Sequence, residues 1–212
     1  EDPIEYELEG IGQSQMKSEI NYTFAKALRT FLRQDPEVIL VGEIRDQETG
    51  NIAVEAALTG HLVCSTLHTN SSVETITRLV NMGIPNYLIS SSVSLVIGQR
   101  LARKICQKCK IEDKNSSAKL LKQMKLPSDL KPMVGKGCKE CNNSGYKGRQ
   151  GIYEILKITE DLQDGILKNL TIPEMESVAK KEGFLSMQEV GAGYIREGFL
   201  SLEEYQRTLF IS

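Results

Sequence analysis

The sequence predicts an α/β protein: a mostly parallel sheet with helical cover, then a four-cysteine module, then a run of short helices. Three observations lead there. Two short apolar runs, 37–41 and 62–66, each pass through a polar loop into a helical pattern, the βα repeat from which parallel sheets are built. Two CxxC pairs follow, at 106–109 and 138–141. Beyond them a Ser or Thr precedes a Glu by three residues at 171/174, 186/189 and 201/204, the spacing of a capping box that opens a helix.

After an extended start, Thr23 to Gln34 reads as an amphipathic helix whose apolar stripe is Phe24, Ala27, Leu28, Phe31 and Leu32. Asp35-Pro36 ends it, because proline restricts the residue before it. The run Glu37-Val38-Ile39-Leu40-Val41 does not alternate, as expected of a strand buried on both faces. Asp46 is placed to cap an Ala-rich helix through Ile52, Ala53, Ala56 and Ala57, which Gly60 closes. Leu62 to Thr66 is the second strand, with Cys64 expected in the core. Ser71 and Glu74 open a helix through Val73, Ile76, Leu79 and Val80. A further helix is expected from Tyr87 to about Lys104, a loop at Glu112–Ser117 and a strand at Gly151–Ile158. Gly183-Phe184-Leu185-Ser186 recurs as Gly198-Phe199-Leu200-Ser201, which reads as two consecutive helix starts with the same cap chemistry. The expected segments are thus 1–104, 105–150 and 151–212.

Composition narrows the class. The chain is 40% hydrophobic and 25% charged, and no apolar run approaches the ~20 residues that a membrane-spanning helix needs. Net charge is −2, but residues 103–149 hold thirteen basic and four acidic groups. That segment is either a solvated lysine-rich face or a surface for an acidic partner, a nucleic acid or an anionic membrane. It lacks the interleaved aromatic residues that stack on bases. The chain begins Glu1-Asp2-Pro3 without an initiator Met or a secretory leader, and is expected to be a piece of something longer.

The cysteines carry the sharpest chemical signal. Cys106, Cys109, Cys138 and Cys141 form two knuckles separated by twenty-eight residues, the pattern of a tetrahedral, structural zinc site. With all four positions filled by protein, such a site has no opening for catalysis. Gly135, Gly137 and Gly145 suit tight turns around the second knuckle.

Polar residues gather where the two strands end, the place where open α/β sheets bind ligands. Glu43 follows the first strand and one glycine. There a carboxylate could orient and deprotonate an attacking water, or pair with Arg45 in a surface turn. His68 stands at the next strand end among Thr66, Thr69 and Asn70, able to meet a phosphate or a carboxylate. Arg29 and Arg33 share a helix face away from the apolar stripe, either solvated or directed at a phosphate. Glu1 and Asp2 could help hold magnesium. No phosphate-cradling GxxxxGK[ST] occurs in the 212 residues.

Several ordered stretches together resemble the ATPases of type II secretion and type IV pilus assembly. Glu1-Asp2-Pro3-Ile4-Glu5 is similar to the family's acidic box, and Leu32 through Asp46 to its Walker B segment. Thr59-Gly60-His61-Leu62-Val63 with Ser65 through Asn70 is similar to its His box. Gln99 through Cys106, Gly137-Cys138 and Gly145 through Glu154 resemble its tetracysteine segment. The resemblance implies a RecA-like P-loop NTPase fold, truncated here because the Walker A half is absent, with a tetracysteine zinc module and C-terminal helices. It implies a homo-hexamer, using ATP and Mg²⁺ with structural Zn²⁺, on the cytoplasmic side of the bacterial inner membrane. Its partners would be an inner-membrane platform and cytoplasmic assembly proteins, with no direct nucleic acid. Glu43 would be the Walker B glutamate, Glu1 and Asp2 part of the acidic box, and His68 the His-box residue that links nucleotide state to domain position. Arg29, Arg33 and Arg45 would lie near phosphates or subunit contacts. The tetracysteine segment points to an assembly or secretion motor, since retraction relatives generally lack it. Without the Walker A loop these 212 residues are expected to be inactive alone. The alternative is a non-enzymatic zinc module that binds a partner protein or nucleic acid.

Overall fold

A computed structural model of the chain describes all residues except 115, 117, 125, 128, 211 and 212. By contacts the chain divides into two units, one of residues 1–96 and 156–182 and the other of residues 97–155 and 183–212.

In the first unit, α1 (Phe24–Phe31) starts where Thr23 accepts the Lys26 amide, and Leu32 caps its end. Arg33 and Gln34 continue on tighter i→i−3 bonds to Thr30 and Phe31, so Arg33 lies past the α-helix predicted to contain it. β1 (Val38–Val41) leads through a loop to Asp46, whose carboxylate caps α2 (Gln47–Leu58) at the Thr49 amide, 2.8 Å away. β2 (Leu62–Ser65) pairs with β1 in parallel, Val38 opposite Leu62 and Leu40 opposite Cys64. α3 (Ser72–Asn81) follows its Ser71 cap, and α4 (Asn86–Ser92) follows α3.

Strand β1 is buried on one face only. Ile39 and Val41 join Ala25, Leu28, Ile52 and Ala53 in a core closed by α1 and α2. Val38, Leu40 and Leu62 are 60%, 62% and 58% exposed, and Cys64 is exposed. The register puts these four on a single face, so the expected two-sided burial and the core cysteine are both corrected. A β-branched run without alternation states that both faces are apolar; it does not supply a cover for each of them.

The helix expected from Tyr87 to Lys104 stops at Ser92, and residues Leu95–Ile105 form strand β3. The hydroxyls of Ser91 and Ser92 bond back to the carbonyls of Tyr87 and Leu88, 2.6 and 2.7 Å away, a habit that weakens helices. Val93, Val96 and Ile97 then favour extended backbone, and Gly98 disfavours helix. The decisive partner is remote: β3 pairs with β6 (Tyr146–Lys157), which no local window contains.

The second unit holds the four-cysteine segment. β4 (Lys110–Glu112) runs antiparallel to β5 (Met133–Gly135), with α5 (Ala118–Gln123) between them. Of the loop expected at Glu112–Ser117, Glu112 ends β4, while residues 115 and 117 lie outside those described. After β6 the chain adds α6 (Glu160–Leu167) and α7 (Ile172–Lys181) to the first unit, then α8 (Met187–Arg196) and α9 (Leu202–Leu209) to the second. Ala102, Leu121, Ile152, Ile195, Leu200 and Tyr205 centre the second core. Capping boxes form at Thr171/Glu174 and Ser186/Glu189. At Ser201 the hydroxyl caps the Glu204 amide, but the Glu204 carboxylate turns elsewhere.

Candidate functional site

The two parallel strands deliver their polar ends to one place. The Thr66 hydroxyl donates to the Gly42 carbonyl (2.7 Å), and the Ile44 amide donates to the Thr66 carbonyl (3.1 Å). This stitch fixes Glu43 beside the chain that carries His68. The sequence places Thr66 at the end of the second strand, near His68; its part in holding the two strand ends depends on the β1–β2 register.

Glu43 is mostly covered, with 14% of its side chain exposed. One of its oxygens accepts from Arg45 at 2.5 Å, and the other faces His68 Nε2 at 3.4 Å. The Arg45 hydrogen bond holds the Glu43 carboxyl below the usual carboxylate range. Partial burial opposes this, and the charges of Arg45 and His68 reinforce it. Arg45 also reaches Asp2, at 3.9 Å. Glu1 packs close by: its Cα would lie 3.4 Å from a Cβ placed on Gly42. The Glu1 carboxylate accepts from Gln13 (2.8 Å). Glu43, Arg45, His68 and Asp2 are therefore linked, with Glu1 against the glycine that precedes them. An ionised carboxylate flanked by a guanidinium and an imidazole can bind and align a water.

Arg29 and Arg33 are not in this cluster. Arg29 pairs with Glu48 of α2 at 2.8 Å, with both side chains more than half exposed. Arg33 lines the same α1–α2 groove, with Leu32, Asn51, Ile52 and Glu55. His61 is structural: its Nδ1 lies 2.9 Å from the Ala56 carbonyl and 3.2 Å from the Thr59 hydroxyl at the end of α2.

The four cysteines converge. Their sulfurs all lie within 4.8 Å of one another. The separations are 3.9 Å for Cys106–Cys138, 3.9 Å for Cys109–Cys141 and 3.7 Å for Cys138–Cys141. A tetrahedral metal with bonds of ~2.3 Å to sulfur requires sulfurs about 3.8 Å apart, so the cluster is a cage able to take a metal ion. Burial raises the Cys109 thiol to about 11. Burial acts the same way on Cys141, but the backbone amides of Cys138 and Gly145 override it and bring that thiol to about 6. The knuckle turns need glycine: Gly137 and Gly145 have φ of +93° and +77°. A Cβ on Gly135 would lie 2.0 Å from the Gly145 carbonyl oxygen.

A family model described as "Type II/IV secretion system protein" matches residues 1–207. The chain belongs to this family. It is 49% identical over 211 residues to the type IV pilus assembly ATPase PilB of Pseudomonas aeruginosa, covering 98% of this chain and 37% of that protein. It is 46% identical to PilB of Acinetobacter baylyi, with 98% and 36% covered. With the type II secretion system ATPase E of Vibrio cholerae it shares 45% identity, covering 98% and 41%. The chain thus spans about two fifths of the length of these relatives. Among solved structures it is similar to the pilus retraction motor PilT with bound ADP, at TM-score 0.69 and 29% identity, covering 98% of this chain and 50% of PilT. The Legionella pneumophila ATPase DotB matches with TM-score 0.60 and 26% identity, covering 92% and 44%. A mixed α/β fold within an ATPase family stands on these findings. Among the described residues no helix is long and apolar enough to cross a membrane.

Proposed function

We propose that the intact protein is an ATP-hydrolysing motor of type II secretion or type IV pilus assembly, with a RecA-like core. In this reading it works as a homo-hexamer on the cytoplasmic side of the inner membrane, against a membrane platform and cytoplasmic assembly proteins. The observation that carries the reading is the Glu43 carboxylate at the end of β1, tied to Arg45 and His68, in a chain of this family. Glu43 aligns the attacking water and takes its proton, and Arg45 keeps the carboxylate ionised for that task. His68, exposed and within reach of Glu43, reports the state of the site to its surroundings. Asp2 and Glu1 supply the hard oxygen donors that suit magnesium, which when bound would draw charge from the phosphates. Arg29 and Arg33, turned to the α1–α2 groove, are placed for a neighbouring subunit better than for Glu43.

The cysteine cage fits Zn²⁺ by donor type and sulfur spacing, and its filled ligand set makes the module structural. In this reading the functional segments are 1–104 for the core, 105–150 for the zinc module and 151–212 for a mostly helical C-terminal part, a division by role that differs from the two contact units. Without a Walker A loop among them, the 212 residues alone do not grip the phosphates.

The test is steady-state ATP hydrolysis by the intact protein, wild type beside Glu43→Gln. Binding of ATP should persist while turnover falls on the order of 10²-fold or more, the usual size of a general-base contribution. Unchanged turnover would overturn the role of Glu43; lost binding together with lost folding would make it structural.

A further inference from the structure

The third of the repeated helix caps departs from the other two. At Thr171 and Ser186 the glutamate three residues on returns to its own cap residue, in the open. Glu204 instead leaves its helix end and is fully buried. One oxygen accepts the Arg103 backbone amide at 2.6 Å, and the other accepts Arg103 Nε at 2.8 Å and Nη2 at 2.7 Å. Arg207 donates its Nε to the second oxygen at 2.8 Å and its Nη2 to the first. A buried carboxylate is tolerated only with such complete pairing. The pairing holds the Glu204 carboxyl down at about 2: burial pushes it up, and Arg207 and Arg103 together outweigh that.

What this carboxylate holds is the frame of the cysteine cage. Arg103 lies on β3, three residues before Cys106. Its guanidinium sits 4.2 Å from the centre of the Tyr146 ring, and Tyr146 opens β6 five residues after Cys141. The Tyr146 hydroxyl lies 2.8 Å from that of Ser201. The Ile105 amide donates to the Phe199 carbonyl and the Cys106 amide to the Gly145 carbonyl, both at 2.9 Å. The strand entering the first knuckle and the strand leaving the second are thus both fastened to the start of α9.

We propose that Glu204 is a positioning residue for the four-cysteine metal site. Through Arg103 and Tyr146 it locks the two strands that carry the knuckles, so α9 sets how firmly the cage keeps its ion. The inference rests on the metal reading of the cage given above. Groups that orient metal ligands from outside the ligand set change metal affinity by roughly 10- to 100-fold when lost.

The experiment loads the chain with zinc and follows its release to a chromogenic chelator, with Co²⁺ substituted in parallel to record the thiolate spectrum. Glu204→Gln removes the charge. Arg103→Lys keeps a cation but cannot reproduce the fork. Ile39→Val thins the core between β1, α1 and α2, to which neither strand contributes. The first two should release zinc on the order of tenfold faster and alter the Co²⁺ bands, while Ile39→Val should release it at the wild-type rate despite a lower melting temperature. Should Glu204→Gln fail to fold, Arg103→Lys decides. Release at the wild-type rate from folded Glu204→Gln and Arg103→Lys would overturn the proposal, as would equal acceleration by Ile39→Val. A wild-type chain that binds neither metal would overturn the metal reading first, and this inference with it.

Discussion

Gly145 and Gly148 make a matched pair for testing what closes the second knuckle. Both have positive φ, +77° and +79°, so replacing either with Ala brings the same left-handed penalty of roughly 1–2 kcal/mol. Their surroundings differ. A Cβ on Gly148 meets nothing within 4 Å, whereas one on Gly145 lies 2.4 Å from the Gly135 carbonyl oxygen. Relief requires the Gly145 backbone to move, and its carbonyl accepts the Cys106 amide at 2.9 Å. Leaving that amide unpaired beside a buried cysteine costs about 1–3 kcal/mol more. Gly145→Ala should therefore lose about 2–5 kcal/mol and Gly148→Ala about 1–2. If the difference falls on the metal site, zinc affinity should drop roughly 5- to 150-fold further in Gly145→Ala. Urea unfolding of the zinc-loaded chain and competition against a chelator measure the two quantities. Equal losses from the two variants would refute the reasoning, because the penalty would then be conformational alone.

Elemental analysis of chain purified without chelators should give one zinc per chain, and chelation should lower its melting temperature; absence of metal would sink the cage reading. Ile39→Ala, at a position 5% exposed, should cost this chain about 2–5 kcal/mol in urea unfolding. Leu40→Ala, next to it and 62% exposed, should stay within about 0.5 kcal/mol; similar losses would contradict one-sided burial of β1. Glu204 gives a pH signature. Its carboxyl is depressed from an ordinary 4.5 to about 2, so its contribution is complete above pH 4.5 and disappears as pH falls toward 2. The stability difference between wild type and Glu204→Gln should shrink by on the order of 3 kcal/mol across that window. A pH-independent difference would show that the charge of Glu204 is not what stabilises the fold.

Much of this protein is written in short-range chemistry, and that part is legible in the sequence. Asp46, Ser71 and Ser186 each cap the helix that local spacing assigns to them, because a cap is decided by three or four consecutive residues. The two knuckles are equally local, and ligand chemistry brings them together: four thiolates around one ion admit few arrangements. Ordered motifs were enough to identify the family. What the sequence could not state is anything that depends on a distant partner. Residues 95–105 carry a pattern that serves either helix or strand, and pairing with β6, some fifty residues on, decides for the strand. Val38, Leu40 and Cys64 are apolar enough for a core, yet only a helix packed over them could bury them, and α1 and α2 lie on the other face. The approach of His68 to Glu43 follows from the parallel register of β1 and β2. Glu204 shows the limit best. Its spacing from Ser201 writes a capping box, but the fold offers its carboxylate two arginines, and charged partners in a buried site outweigh a single exposed backbone amide.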